Sequence, residues 1–384
     1  MSKTIKTLTL IALLTALAAC GGSDDVNATT EEESTAEEVV EETGTSDAIV
    51  DTASDVVTTL ADVNGFKIIS KNYNPDAYGI YGNEVEIDAF VKDHSNNPVE
   101  DGTVITFVTD DNGFIENQCA TVDGQCTVKW WSAGDRTTPD VINDGSYADT
   151  YSDFKITVMA RTIGEDSFID KNSNSEFDIG ESYSTQSEPF LDVNDNDVYD
   201  SGINDFDEFF DFNDNGEFDD ASDFTTFRGE SCSTTAIAAG HCANKLEVWD
   251  TLVMSLSSGY EVTITLFPGK CSSITGPAIA ENTTLIVAEG VNTEYCVIFT
   301  DENGNVPASG AQISASGGNG ELVKDPSGPI DNVLNAVSLL GTGYAADISL
   351  TGDDTPSDDG SLEISVTPAA GDTYSTEVSF PIQD

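Results

Sequence analysis

The sequence predicts an all-β fold, built as two sandwich modules with an acidic insertion in the first. Three observations carry this. From about residue 63 onward, short runs rich in Val, Ile and Thr alternate apolar with polar residues and are punctuated by Asn-Gly and Asp-Gly steps. That pattern belongs to antiparallel strands joined by tight turns. A turn motif occurs twice: Phe90-Val91-Lys92-Asp93 leads through Asn97-Pro98-Val99 to Gly102, and Ile298-Phe299-Thr300-Asp301 leads through Asn305-Val306-Pro307 to Gly310. Between Glu165 and Asp223 the composition changes to twenty carboxylates and one cation, Lys171.

In chain order, Lys3 and Lys6 precede an apolar run, Leu8 to Ala19, too short to span a bilayer as a helix. The run ends in Leu17-Ala18-Ala19-Cys20, followed by Gly21-Gly22-Ser23. These residues resemble the bacterial lipobox. The resemblance implies cleavage after residue 19 and a diacylglycerol on the sulfur of Cys20, with palmitate among the acyl chains. The inner-membrane retention signal of that family is an Asp after the cysteine. Gly21 therefore implies the outer membrane, with the protein expected at the cell surface and the periplasmic face as the alternative. Residues 20–62 are rich in Thr, Ser, Ala, Glu and Asp and read as a solvated tether. Helical spacing of Ile49, Ala53, Val56, Val57 and Leu60 marks one short helix near its end.

The first module, residues 63–259, carries candidate strands at Phe66–Ser70, Glu84–Val91, Thr103–Thr109, Gln118–Thr121, Gln125–Trp131, Phe154–Arg161 and Leu246–Leu256. Seven short strands in one module predict an immunoglobulin-like β-sandwich. The second module, residues 260–384, has candidates at Thr284–Ala288, Tyr295–Thr300, Ala311–Ala315, Ala345–Leu350, Leu362–Thr367 and Ser375–Pro381. In both copies of the repeated turn a strand ends at the aspartate and the next begins after the glycine. Trp130 and Trp131 are adjacent, so a strand sends them to opposite faces, one to the core and one to the surface or a partner.

The insertion, residues 165–223, holds three segments of one spacing. Asp170, Asn172, Asn174 and Asp178 begin the first, Asp192, Asn194, Asn196 and Asp200 the second, and Asp211, Asn213, Asn215 and Asp219 the third. Each thus has Asp or Asn at positions 1, 3, 5 and 9 of a twelve-residue loop. An aromatic ring (Phe177, Tyr199, Phe218) stands at position 8. A loop wound around a hard cation needs oxygen ligands at that alternation and a backbone carbonyl at position 7, here from Glu176, Val198 and Glu217. The expected ion is calcium, since magnesium prefers fewer carboxylates and retains more waters. Glu181 supplies the position-12 carboxylate of the first loop. Ser175 replaces its turn glycine. The second loop has Asp197 at the glycine position and Ile203 at the last; the third keeps Gly216 but ends in Ser222. Asp205, Asp207 and Asp223 are the candidates for the missing late ligands. The competing reading is a disordered acidic linker, against which the recurrent aromatics stand. The segments resemble EF-hand-like loops on extended backbone, as in thrombospondin type 3 or dockerin-like repeats, and not paired helix-loop-helix hands.

The Asp-to-Gly turns, the Asn112-Gly113 and Asn303-Gly304 steps, and the strand Gln125-Cys126-Thr127-Val128-Lys129-Trp130-Trp131-Ser132 before Ile156-Thr157-Val158-Met159-Ala160 carry a further resemblance. They look like bacterial immunoglobulin-like (Big-1) modules of the invasin and intimin type. The resemblance implies spacers and adhesive stalks without a shared catalytic site.

Six cysteines remain after Cys20, an even number suited to an oxidising compartment. The local pairings are Cys119 with Cys126, Cys232 with Cys242, and Cys271 with Cys296, among fifteen combinations open to six cysteines. A zinc site from Cys232, His241 and Cys242 is the alternative use of the middle pair. No serine nucleophile elbow, phosphate loop or metalloprotease helix is present, so no enzyme is expected. Seventy acids against fourteen bases disfavour nucleic acid. The expected function is structural or adhesive at the cell surface. The alternatives are a fibre subunit assembling by strand addition, and a carbohydrate-binding or accessory lipoprotein of an export or degradation system. The expected partners are the membrane through the lipid anchor, and a surface protein, a glycan or further copies of the chain.

Overall fold

The computed structural model describes residues 59–383 apart from 111–112, 135–153, 193–196, 202–206, 260, 319–320, 335–342, 353–359 and 370–374. The signal segment, Cys20 and most of the tether, including its expected helix up to Val57, lie outside the described residues. Residues Val57–Asp384 belong to one compact unit. Among the described residues no helix is long and apolar enough to cross a membrane.

The strand Lys155–Glu165 is the axis of the first sandwich. It runs antiparallel to Leu246–Ser255 from Lys155 to Gly164 and to Val104–Thr109 on its other side. Gln118–Ala120 continues that sheet beyond Val104–Thr109, and Ala61–Asp62 pairs in parallel with Gly164 and Glu165. The opposing sheet has the order Phe66–Ser70, Glu84–Val91, Gln125–Ser132, Gly113–Ile115. Alternation along Glu84–Val91 sends Val85, Ile87, Ala89 and Val91 inward and leaves Glu84, Glu86 and Asp88 outward. They meet Ile68, Ile105, Phe107, Val158, Val248 and Met254 in one core. Trp130 is fully buried in it, while the Trp131 indole nitrogen donates to Glu84 at 3.1 Å on the outer face.

The second sandwich repeats the plan. One sheet has the order Ser273–Ile274, Thr263–Lys270, Thr293–Thr300, Tyr344–Thr351, Glu321–Lys324; the other runs Leu285–Ile286, Thr376–Gln383, Gly360–Thr367, Gln312–Gly317, Gly328–Pro329. Leu266, Val297, Phe299, Ile348, Ile364 and Phe380 fill the space between them. The chain is therefore all-β, with two immunoglobulin-like sandwiches. Thr263–Lys270 was not among the expected strands: its Pro268-Gly269 step reads as a breaker, yet Pro268 pairs with Tyr295 as the last rung of the ladder with Thr293–Thr300.

The repeated turn has one physical basis. The Asp93 carboxylate accepts from the backbone N–H of Ser95 and Asn97, and that of Asp301 from Asn303 and Asn305, all at 2.8–3.0 Å. Each aspartate satisfies the turn that a strand must make before its partner starts. Asp301 also takes the N–H of Ser258 at 3.1 Å, so this turn holds the segment joining the modules. Burial pushes the Asp301 carboxyl above its ordinary value, against the lowering effect of these backbone N–H groups. Asn74, fully buried, completes the junction by donating to the carbonyls of Pro307 and Asp331.

Cys119–Cys126, Cys232–Cys242 and Cys271–Cys296 are disulfide-bonded. The bond between Cys232 and Cys242 removes both thiolates that a zinc site with His241 needs.

Gly113 lies against Trp130: an added Cβ would come within 2.0 Å of the indole nitrogen. Gly113→Ala is expected to destabilise the first sandwich by about 1–3 kcal/mol through overpacking. Denaturant unfolding followed by tryptophan fluorescence checks it; an unchanged midpoint would show that the indole moves freely.

Candidate functional site

The insertion leaves the first sandwich at Glu165-Asp166 and returns at Arg228, and a buried polar clamp joins the two points. Asp166 and Arg228 exchange backbone and side-chain hydrogen bonds, with Arg228 N–H donating to Asp166 Oδ2 at 2.8 Å and Asp166 N–H to the Arg228 carbonyl at 2.8 Å. Glu165 accepts from Ser231 N–H at 3.0 Å and from its hydroxyl at 2.8 Å, and its Oε1 lies 3.2 Å from His94 Nδ1. That bond raises the His94 pKa, while burial raises that of Asp166 and lowers that of Arg228.

The first loop, Asp170 to Glu181, is wound around its own carboxylates. Asp170 Oδ1 accepts from the N–H of Asn172, Ser173 and Asn174, and Oδ2 from Ser175 at 2.8 Å. These N–H groups, Ser175 foremost, hold the Asp170 carboxyl below the usual range. Asn172 Oδ1 takes the N–H of Asn174, and Asn174 Oδ1 that of Glu176. Both amide nitrogens donate to Asp178 Oδ2, at 2.7 and 2.9 Å. The Ser233 hydroxyl and these amides keep the Asp178 pKa low. Glu181 closes the ring, Oε1 accepting from Lys171 N–H at 2.7 Å and Oε2 from Asp178 N–H at 3.0 Å.

The third loop repeats the main bonds of this pattern. Asp211 accepts from Asn215 at 3.1 Å and Gly216 at 2.7 Å. Asn213 Oδ1 takes Asn215 N–H, and Asn215 Oδ1 takes Glu217 N–H. Both amides donate to Asp219 Oδ2. The sixth residue has left-handed backbone in every loop: Ser175 φ 62°, Asp197 φ 61°, Gly216 φ 80°. The absence of glycine from two loops thus leaves the turn unaltered, at a cost in strain.

Of the residues that close the second and third loops, Asp207 was among the sequence candidates and Glu188 was not. Ser222 does not close the third loop. Glu188 does, Oε1 accepting from Phe212 N–H at 2.9 Å and Oε2 from Asp219 N–H at 3.2 Å, the same two positions that Glu181 serves. Glu188 is 3% exposed, and burial raises its pKa against the pull of those N–H groups. In the second loop Asp207, fully buried, accepts from Asp200 N–H at 2.9 Å, and Asp192 Oδ2 from Asp197 N–H at 2.7 Å. Asn194, Asn196, Ile203 and Asp205 lie outside the described residues. Asp223 instead caps a short 3₁₀ turn through the N–H of Asp220.

The position-8 rings knit the loops together. Phe177 stacks on Phe227 at 4.6 Å, in a small core with Cys232 and Ala236. Tyr199 stacks on Phe218 at 4.0 Å, with Phe190 and Phe209 against their edges. Phe190 meets Trp249 of the sandwich at 5.1 Å, and the Trp249 indole donates to the Ser187 carbonyl at 3.1 Å. Trp249 is the anchor that sequence reasoning passed over in favour of the Trp130-Trp131 pair.

Among the described residues no three Asp, Glu, His or Cys side chains form a metal-holding group by themselves. In the first loop Asn172 and Asn174 bridge Asp170 to Asp178, so the convergent donor set is mixed carboxylate and amide. The amide nitrogens face Asp178 while the amide oxygens accept backbone N–H groups, so the oxygens left for a cation are those of the carboxylates and the second lone pair of each amide carbonyl. Such a set fits a hard cation and not zinc or copper.

Glu188→Ala is expected to disorder the third loop as Glu181→Ala disorders the first, whereas Ser222→Ala leaves it unaltered. Amide hydrogen exchange at residues 211–219 reads this; equal protection in the Glu188 and Ser222 variants would remove Glu188 from the loop.

The chain matches no protein-family model, and no curated protein matches its sequence. The similar solved structures include adhesin domains, S-layer protein domains and an alpha-2-macroglobulin. The D0-D1 domain of intimin is 13% identical, with 82% of this chain and 97% of that one covered at a TM-score of 0.22. The Yersinia pseudotuberculosis adhesin InvE is 10% identical, with 84% and 60% covered at 0.23. The integrin-binding protein invasin is 8% identical, with 83% and 60% covered at 0.18. The chain thus spans three-fifths of the InvE and invasin structures. At these scores the fold assignment rests on the strand order and the two cores, not on superposition.

Proposed function

We propose that the chain is a calcium-stabilised, lipid-anchored surface protein of the outer membrane, with a structural or adhesive role. The observation that supports it is the matching hydrogen-bond pattern of the first and third loops, each closed by one carboxylate spanning positions 2 and 9. A solvated acidic linker has no reason to wind its carboxylates inward in one register. Calcium bound there offsets the mutual repulsion of the insertion's carboxylates and fixes its rings against Trp249. Anchoring is read from the lipobox at Cys20, and the three disulfides suit an exported protein. Two sandwiches joined by a buried polar network make a stalk of fixed geometry, which suits presentation of a binding surface away from the lipid.

Fibre assembly by strand addition has less support. The outer edge of Leu246–Ser255 is partly covered, since Gln186 both donates to the Trp249 carbonyl and accepts from its N–H.

Thermal unfolding with chelator and then with calcium tests the reading. Each occupied site is expected to add about 2.7 kcal/mol at a calcium concentration a hundredfold above its dissociation constant. Asp170→Ala and Asp178→Ala should each remove the share of the first loop. A melting curve indifferent to calcium, with no heat of binding by calorimetry, would contradict the proposal.

A further inference from the structure

A cleft of about 380 Å³ lies between the third loop and the start of the strand Leu246–Ser255. Phe212 and Phe224 form its apolar surfaces, and Asn244, Arg228 and Lys245 bring polar groups to it beside the carboxylates of Glu188 and Glu247, while the lining Asn213 has its amide engaged inside the loop. We propose that this cleft binds the terminal one or two residues of an uncharged glycan.

Size and lining come first. The volume is that of a small-ligand site, and rings combined with a few convergent polar groups are the usual make-up of such sites. Phe212 is 37% exposed in a strongly acidic segment, where an apolar face gains by covering. A sugar ring has an apolar C–H face that lies flat on an aromatic ring and hydroxyls around its rim that pair with amides and guanidinium groups.

Arg228 supplies the second observation. Its guanidinium packs 3.6 Å from the Phe224 ring centroid, which fixes both groups. Nη2 donates to the Gln186 carbonyl, the Thr185 hydroxyl and Asp166. Nε is buried and has no acceptor. An enclosed Nε is out of reach of the cleft, so what Arg228 contributes is the fixed cationic edge it presents beside the Phe224 ring.

Charge narrows the class. The cations at or beside the cleft are each matched: Lys245 pairs with Glu230 at 2.6 Å, Arg228 with Asp166, and Arg161 with Glu247. No net positive charge is left to hold an anion, and the chain's formal charge of -56 repels one at long range. A cationic ligand would meet Arg228 and Lys245. A neutral ligand rich in hydroxyls satisfies the donors and acceptors without either penalty.

The cleft wall is the third loop itself: Phe212 N–H and Asp219 N–H are held by Glu188, which also lines the cleft. The inference therefore rests on the calcium reading for the order of that wall.

The test measures binding of the full chain, in calcium, to polyacrylamide conjugates carrying lactose, N-acetyllactosamine, maltose or N-acetylgalactosamine, with 3′-sialyllactose as the anionic comparison. At least one neutral conjugate is expected to bind. Phe212→Ala and Asn244→Ala should each weaken it by roughly five- to tenfold. Asn244 is exposed, so its variant keeps the fold, which a thermal melt verifies. No neutral conjugate bound, binding unaffected by both substitutions, or binding of the sialylated conjugate alone would overturn the proposal. Calcium calorimetry on the same samples separates the two readings. Calcium heat without sugar binding removes the cleft and spares the loops; sugar binding without calcium heat does the reverse.

Discussion

Seventy carboxylates must be accommodated in a chain with fourteen lysines and arginines, and that excess shapes its irregular parts. Cations cannot neutralise them pair by pair. Backbone N–H groups take their place, because a carboxylate is an acceptor with several lone-pair sites and an unpaired N–H is costly to bury. Asp93 and Asp301 each stabilise one turn this way. In the insertion the same device is chained: an aspartate gathers successive N–H groups, two asparagines continue the winding, and a second aspartate receives both amides. A single turn uses up its carboxylate. A chained loop converges several oxygens and has a charge that only a cation offsets fully.

The insertion's position follows from two attachments of different character. At its root, Asp166 and Arg228 form a buried charge pair inside a ladder of backbone bonds, so removing either partner strands the other in a desolvated site. Farther out, the contacts are aromatic edges, ending in Phe190 against Trp249. Rings at one position of successive loops replace the hydrophobic core that so acidic a segment cannot build. Trp249 belongs to the strand paired with Lys155–Glu165, so the rings of the loops pack directly on the central sheet of the first sandwich.

Much of this was legible in the sequence where the signal is local. Phe66–Ser70 and Glu84–Val91 fall where alternation places them, and the position-1, -3, -5 and -9 residues of the first and third loops share one cage. What escaped depends on contacts between distant residues. Glu188 precedes the loop it closes, so no spacing rule starting at Asp211 reaches it; an isolated carboxylate beside Pro189-Phe190, set against a loop lacking its last ligand, was the available clue. Asp207 could not be separated from Asp205 and Asp223 until Glu208-Phe209 was seen to pair back onto Phe190-Leu191. Thr263–Lys270 was hidden by a proline and a glycine tolerated at the end of the strand.

Anomalous diffraction from crystals grown in calcium tests the central claim most directly. The account predicts three anomalous peaks, one per loop, each about 2.3–2.6 Å from carboxylate oxygens that include Glu181, Asp207 and Glu188 respectively. Ordered loops without peaks, or peaks whose nearest carboxylates exclude Glu188 and Asp207, would contradict it.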